Sequence, residues 1–167
     1  MSQTPANSNL RFEDLPTEVR MTFRGGMGKE MVLQAGHRLY KFTSHPIVTP
    51  RGVTPWWSSV EPFAGFPDTG LAGLQQRAAR LSVGPSDLAR ARSAVAHHWN
   101  GLGNLVRIQL NCSYKVFVGQ CANAPFYGYD PRQATPEQLA ADAKIRWIGG
   151  AVQAYIPNLR PFDFSVL

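Results

Sequence analysis

The chain has 167 residues, 44% of them hydrophobic, with thirteen prolines and fifteen glycines. That length suits one domain with one sizeable core, and so many chain breakers exclude a bundle of long helices. The formal charge of +6 would suit a polyanionic partner, but the basic residues are scattered singly from Arg20 and Arg24 onward and never form a run, which demotes nucleic-acid binding.

Residues 1–9 are Ser, Thr, Asn, Pro and Gln in character, and read as a disordered arm before a single globular domain over 10–167. They lack the apolar segment of a cleaved leader, and no apolar run approaches the length that spans a bilayer. The expectation is a protein that is cytoplasmic as synthesised, with no membrane partner, and delivered elsewhere only by a route that uses no cleaved signal peptide. Phe12 to Phe23 suits a short helix, with Asp14 as a cap and Pro16 near its first turn, broken by Gly25-Gly26-Met27-Gly28. Met31 to Thr43 reads as one strand or two, with Arg38, Tyr40 and Phe42 on one face and Leu39 on the other.

From His45 to Gly73 the chain is rich in Pro, Gly and Trp with little periodicity, the pattern of a long ligand-covering loop. Leu71 to Leu81 suits a helix through Leu74, Ala78 and Leu81. A second helix follows Gly84-Pro85-Ser86, with Leu88, Ala91, Val95 and Trp99 on one face and Arg90 and Arg92 pointing away. Leu105 to Leu110 and Tyr114 to Val118, separated by Asn111-Cys112-Ser113, suggest two strands of an antiparallel hairpin. Thr135-Pro136-Glu137-Gln138 is a capping box with Pro at the first helical position, so a short helix should run to about Ala143. Ala151 to Ile156 alternates Val152, Ala154 and Ile156 against Gln153 and Tyr155, a strand with one polar-aromatic face. These elements together predict an α+β fold, a curved antiparallel sheet flanked by short helices.

Several chemistries are poorly matched. No GxSxG elbow presents a serine nucleophile. Gly25-Gly26-Met27-Gly28-Lys29 lacks the Gly-Lys-Ser or Gly-Lys-Thr ending of a phosphate loop, and reads as a turn. His97 and His98 are adjacent and diverge by about 100° on a helix, so they do not suit one metal ion. Cys112 and Cys121 form no CxxC pair, and a buried free thiol is expected over a disulfide. No metal is expected.

Three patches place hydrogen-bonding groups beside large rings: 36–42 around His37, Arg38 and Tyr40; Pro55-Trp56-Trp57-Ser58-Ser59; and 147–155, with Gln153 and Tyr155. Arg38 beside Tyr40 offers a bidentate donor next to a ring, suited to a phosphate or carboxylate. Trp56 and Trp57 offer stacking surfaces, Ser58 and Ser59 hydroxyls, and Gly149-Gly150 a backbone that a ligand can approach closely.

This order of parts resembles the ADP-ribosyltransferase-like toxins. The resemblance implies NAD as substrate, with Arg38 and His37 holding the dinucleotide, Ser58 or Ser59 shaping the nicotinamide pocket, and the Gln153 strand standing where the family carries its catalytic Glu. In that scheme Trp57 and Tyr40 stack the nicotinamide, Tyr155 joins the cofactor site, and Gln153 or Glu61 contacts the ribose as the glycosidic bond breaks. A neutral amide cannot stabilise an oxocarbenium ion as a carboxylate does. The resemblance further implies ADP-ribosyl transfer or NAD hydrolysis by a toxin or effector, with a protein acceptor and a neutralising immunity or antitoxin protein as partners. The rival readings are a non-catalytic protein- or ligand-binding module built on the aromatic patches, and an RNA-directed basic protein or nuclease.

Overall fold

The computed structural model describes residues 4–66, 70–123, 130–145 and 147–167. Residues 1–3 of the expected arm and 67–69 of the expected loop lie outside them. A 3₁₀ turn, Phe12–Asp14, leads through Pro16 into α1 (Thr17–Thr22), where the Asp14 carboxylate accepts the Arg11 backbone N–H. Gly25 and Gly26 then take positive φ values of 66° and 64°, a turn that only glycine makes without strain. Strands β1 (Lys29–Leu33), β2 (Arg38–Thr43), β3 (Val48–Thr49), β4 (Gly52–Val53) and β5 (Trp56–Ser59) follow. Next come helices α2 (Leu71–Arg80) and α3 (Pro85–Ser93), strands β6 (Asn104–Leu110) and β7 (Tyr114–Gln120), helix α4 (Pro136–Ala143), and strands β8 (Val152–Tyr155) and β9 (Phe164–Val166).

The fold is α+β. Seven strands form one sheet in the order β1-β7-β8-β5-β2-β6-β9, with every neighbouring pair antiparallel, and β3 pairs with β4 separately. Leu33 on one edge strand and Phe164 on the other belong to the same buried cluster as the central Trp57, Val118 and Ala154, so the sheet curls around one of its faces. Tyr114 donates to Asp163 and to the Asn158 carbonyl, closing that curl. Burial alone would raise the Asp163 carboxyl; bonds from Arg160 and Tyr114 outweigh it and hold the group below its ordinary value.

The opposite face carries two smaller clusters. Tyr40 packs under Leu71, Leu74 and Ala78 of α2 and Leu88 of α3, while Phe117 packs under Phe12, Leu15 and Phe23 of the N-terminal segment, with Trp56 and Tyr155 alongside. The gap between these clusters positions the candidate site.

Four expectations change. Residues 4–9 are not a free arm: Ala6 bridges to Tyr114, its N–H donates to Ser113 O and its carbonyl accepts from Lys115, while Asn7 bonds Pro157 O. The stretch from His45 is not one long loop, because it holds the β3–β4 pair and the central strand β5. Four residues, Trp56 to Ser59, are too few for their alternation to register as a period. β6 and β7 are strands but not a hairpin. β6 pairs with β2 and β9, and β7 with β1 and β8, which places β7 inside the sheet, where Val116 and Val118 are buried in the cluster on one face and Phe117 in the cluster on the other.

The fourth change concerns α3, which stops at Ser93, with Ala94 in the left-handed region at φ 52°. Its terminal carbonyls go to another segment, since Ala91 O accepts from Ile148 and Gly149 N–H and Arg92 O from Ala151 N–H. Arg90 and Arg92 do not point away into solvent. Arg90 is buried and donates to Val95 O at 2.9 Å, and Arg92 turns inward. Helix α4 carries both halves of the expected capping box, Gln138 N to Thr135 Oγ1 and Thr135 N to Gln138 Oε1.

Candidate functional site

β8, β5 and β2 are consecutive in the sheet, so parts of all three sequence patches become neighbours. The register pairs Tyr40 with Ser58 and Trp56 with Tyr155, which sets Tyr40, Phe42, Trp56, Ser58, Gln153 and Tyr155 on one face. Between the two apolar clusters on that face lies a cavity of about 370 Å³. Its floor is Tyr40, Phe42, Trp56, Ser58 and Gln153. Its walls include Met21 and Thr22 from α1, Leu74 and Arg77 from α2, Arg92 and Ser93 from α3, and Trp99 and Asn100 beyond them.

The polar groups of the floor are held in place. The Tyr40 hydroxyl and Ser58 share a hydrogen bond; burial raises the Tyr40 phenol, while Ser58, Arg92 and Arg77 oppose the rise. Gln153 Oε1 accepts from the Cys121 thiol at 3.1 Å, and its Nε2 donates to Ser93 Oγ at 3.2 Å. Burial pushes the Cys121 thiol up to about 12, so it stays a protonated donor. Both cysteines are free thiols. Trp56 packs between Phe23 and Tyr155, with ring centroids 5.4 and 4.9 Å away. Burial also raises the Tyr155 phenol.

Other residues singled out from the sequence lie elsewhere. Trp57 is fully buried on the opposite sheet face and donates Nε1 to Thr54 O, so it cannot stack a ligand; Trp56 is the indole at the cavity. Arg38 is ion-paired with Glu61, both about half exposed, at 51% and 46%, and neither lines the cavity. His37 stacks on Phe63 at 6.0 Å and bonds the buried Ser59 hydroxyl at 2.8 Å, and burial lowers its imidazole below the ordinary value. The structure thus unites Tyr40, Ser58 and Gln153 and leaves Arg38, His37, Trp57 and Glu61 outside their company. Gly149 does bring a backbone close, but that backbone is the chain's own: a Cβ there would lie 2.6 Å from Asn123 Cα and 2.7 Å from Ala122 O.

Sequence reasoning missed Arg92 and Ser93 as site residues, and assigned the stacking role to Trp57 where the structure gives the cavity to Trp56. A signal for Arg92 existed, because it stands four residues after the buried Leu88 and so shares its helical face. His97 belongs to a separate place: its Nδ1 lies 2.6 Å from Asp142 Oδ1, while the His98 ring packs edge-on against Trp99.

No protein-family model matches the chain, and no curated protein or solved structure matches it significantly. No helix among the described residues is long and apolar enough to cross a membrane.

Proposed function

We propose that the chain is a ligand-binding module whose cavity takes a small molecule with a flat heteroaromatic ring, of the nucleotide class, with nicotinamide dinucleotide as the first candidate. The observation that supports this reading is the meeting of Tyr40, Ser58, Trp56 and Gln153 on three adjacent strands around one cavity. Aromatic surface with a few fixed hydroxyl and amide groups is the composition of a site that orients a planar polar ligand. Binding is favoured over bond cleavage because the one candidate acid, Glu61, faces Arg38 outside the lining. Cleavage of the glycosidic bond of NAD is the second reading, and the position of Gln153 on the cavity floor is what favours it.

The test is a thermal-shift titration with NAD, nicotinamide mononucleotide and AMP, with nicotinamide release measured in the same samples. The binding reading expects a concentration-dependent rise in Tm that is lost in Ser58→Val and Gln153→Leu, without turnover. Release of nicotinamide by the wild type and not by Gln153→Leu would favour the second reading. No shift and no release with any of the three compounds would remove both.

A further inference from the structure

Arg92 lies in the last turn of α3 and is partly buried against the cavity. Its Nη2 donates to Gly150 O at 3.0 Å, which uses one of the five donors that a guanidinium carries. The Arg24 guanidinium also lies against Gly150, where an added Cβ would meet its Nη2 at 3.3 Å, and Arg24 Nη2 reaches Ile148 O at 3.5 Å. Burial first, then the positive charge of Arg77, press the Arg92 guanidinium below its ordinary value, and Arg24 adds to the repulsion. Tyr40 and Cys121 are the groups whose ionised forms would relieve it, and burial keeps both protonated. Among the described residues that line the cavity there is no Asp or Glu, whereas Arg77 and Arg92 are both present.

Arginine keeps its charge at any pH a protein meets, so a partly buried guanidinium among like charges is stabilised by an anion. The planar fork matches the paired oxygens of a phosphoryl group, and contacts of this kind are the strong, charge-assisted ones. We propose that Arg92 forms an oxyanion subsite of the cavity that takes a phosphoryl group of the ligand. The proposal rests on the reading of the cavity as a ligand site, and it adds the charge class of that ligand.

The experiment compares nucleosides with their 5′-monophosphates, adenosine against AMP and nicotinamide riboside against its mononucleotide, by calorimetry, and adds inorganic phosphate alone by thermal shift. Wild type should bind each monophosphate at least about tenfold more tightly than its nucleoside, the size expected of charge-assisted bonds. In Arg92→Gln the gap should close while nucleoside affinity holds, and the phosphate-induced rise in Tm should vanish. Arg92→Lys keeps the charge but loses the fork, and should retain part of the gap; it serves also if the glutamine variant fails to fold. Arg51→Gln, an exposed site between β3 and β4, should leave everything unchanged. Phosphate protection through Arg92 without nucleoside binding would support the subsite while removing the ring-binding reading. Equal affinity for nucleoside and monophosphate in the wild type, a gap that survives in Arg92→Gln, or no response to any phosphate compound would overturn the proposal.

Discussion

His97 and Asp142 are joined twice: the imidazole Nδ1 lies 2.6 Å from Asp142 Oδ1, and the same oxygen accepts the His97 backbone N–H at 3.0 Å. Asp142 is on α4 and its side chain is only 7% exposed, so this contact anchors that helix to the segment that follows α3. Removing a buried acceptor leaves its donors unsatisfied, at a cost of about 1–3 kcal/mol. Asp142→Ala should therefore lower the urea midpoint by an amount in that range, whereas Asp142→Asn, which keeps an acceptor oxygen, should lose less. Equal losses in the two variants would mean that packing, and not the paired bonds, holds α4.

Gly149 and Gly36 both take positive φ, 65° and 89°, but only Gly149 is crowded by backbone. At Gly36 nothing lies within 4 Å of an added Cβ, so alanine there meets only the conformational penalty of about 1–2 kcal/mol. At Gly149 the same penalty is joined by a clash with Ala122 and Asn123, which have no flexible end to move aside. Thermal denaturation should show Gly149→Ala clearly less stable than Gly36→Ala. The 148–151 turn also takes the last carbonyls of α3 and places Gly150 under Arg92, so the same substitution should weaken ligand binding as well.

Lys41 carries a titration that the rest of the fold makes visible. Its Nζ donates to Thr54 Oγ1 at 2.7 Å and sits 5.5 Å from the Trp57 ring centroid, and burial lowers its ammonium to about 8. An unfolded lysine titrates near 10.4, so between about pH 8 and pH 10 the unfolded chain binds more protons than the folded one. Stability from this residue is complete above the unfolded value, is lost as pH falls through that window, and is flat below it. Lys41→Met should thus gain on wild type as pH drops from 10 to 8 and hold a constant margin from 8 to 6, measured by urea unfolding at each pH. A margin that does not change with pH would contradict this, as would a Lys41 methylamine resonance that titrates near 10.

Much of this architecture was legible one segment at a time. The capping box of α4, the alternation of Arg38, Tyr40 and Phe42, and the Gln153–Tyr155 face are near-neighbour patterns, and each appears in the structure where its residues stand. The site was half legible. Tyr40, Ser58 and Gln153 are hydrogen-bonding groups beside rings in the sequence and do meet, but the charge of Arg38 is spent on Glu61, a partner 23 positions away. Trp56 and Trp57 look equivalent in a four-residue strand, and only the pairing of Trp57 with Ala154 assigns it to the curled core.

What the sequence by itself determined was the class of the fold, the positions of its helices and of the strands in 31–43, 105–118 and 151–156, and which residues alternate together, because these depend on backbone preference and on spacing along the chain. Only the tertiary structure decided that β6 and β7 part company, that α3 ends where another segment's N–H groups claim its carbonyls, and that Arg92 faces a cavity. Each of those outcomes turns on hydrogen bonds and burial between residues far apart in number, which local periodicity does not encode.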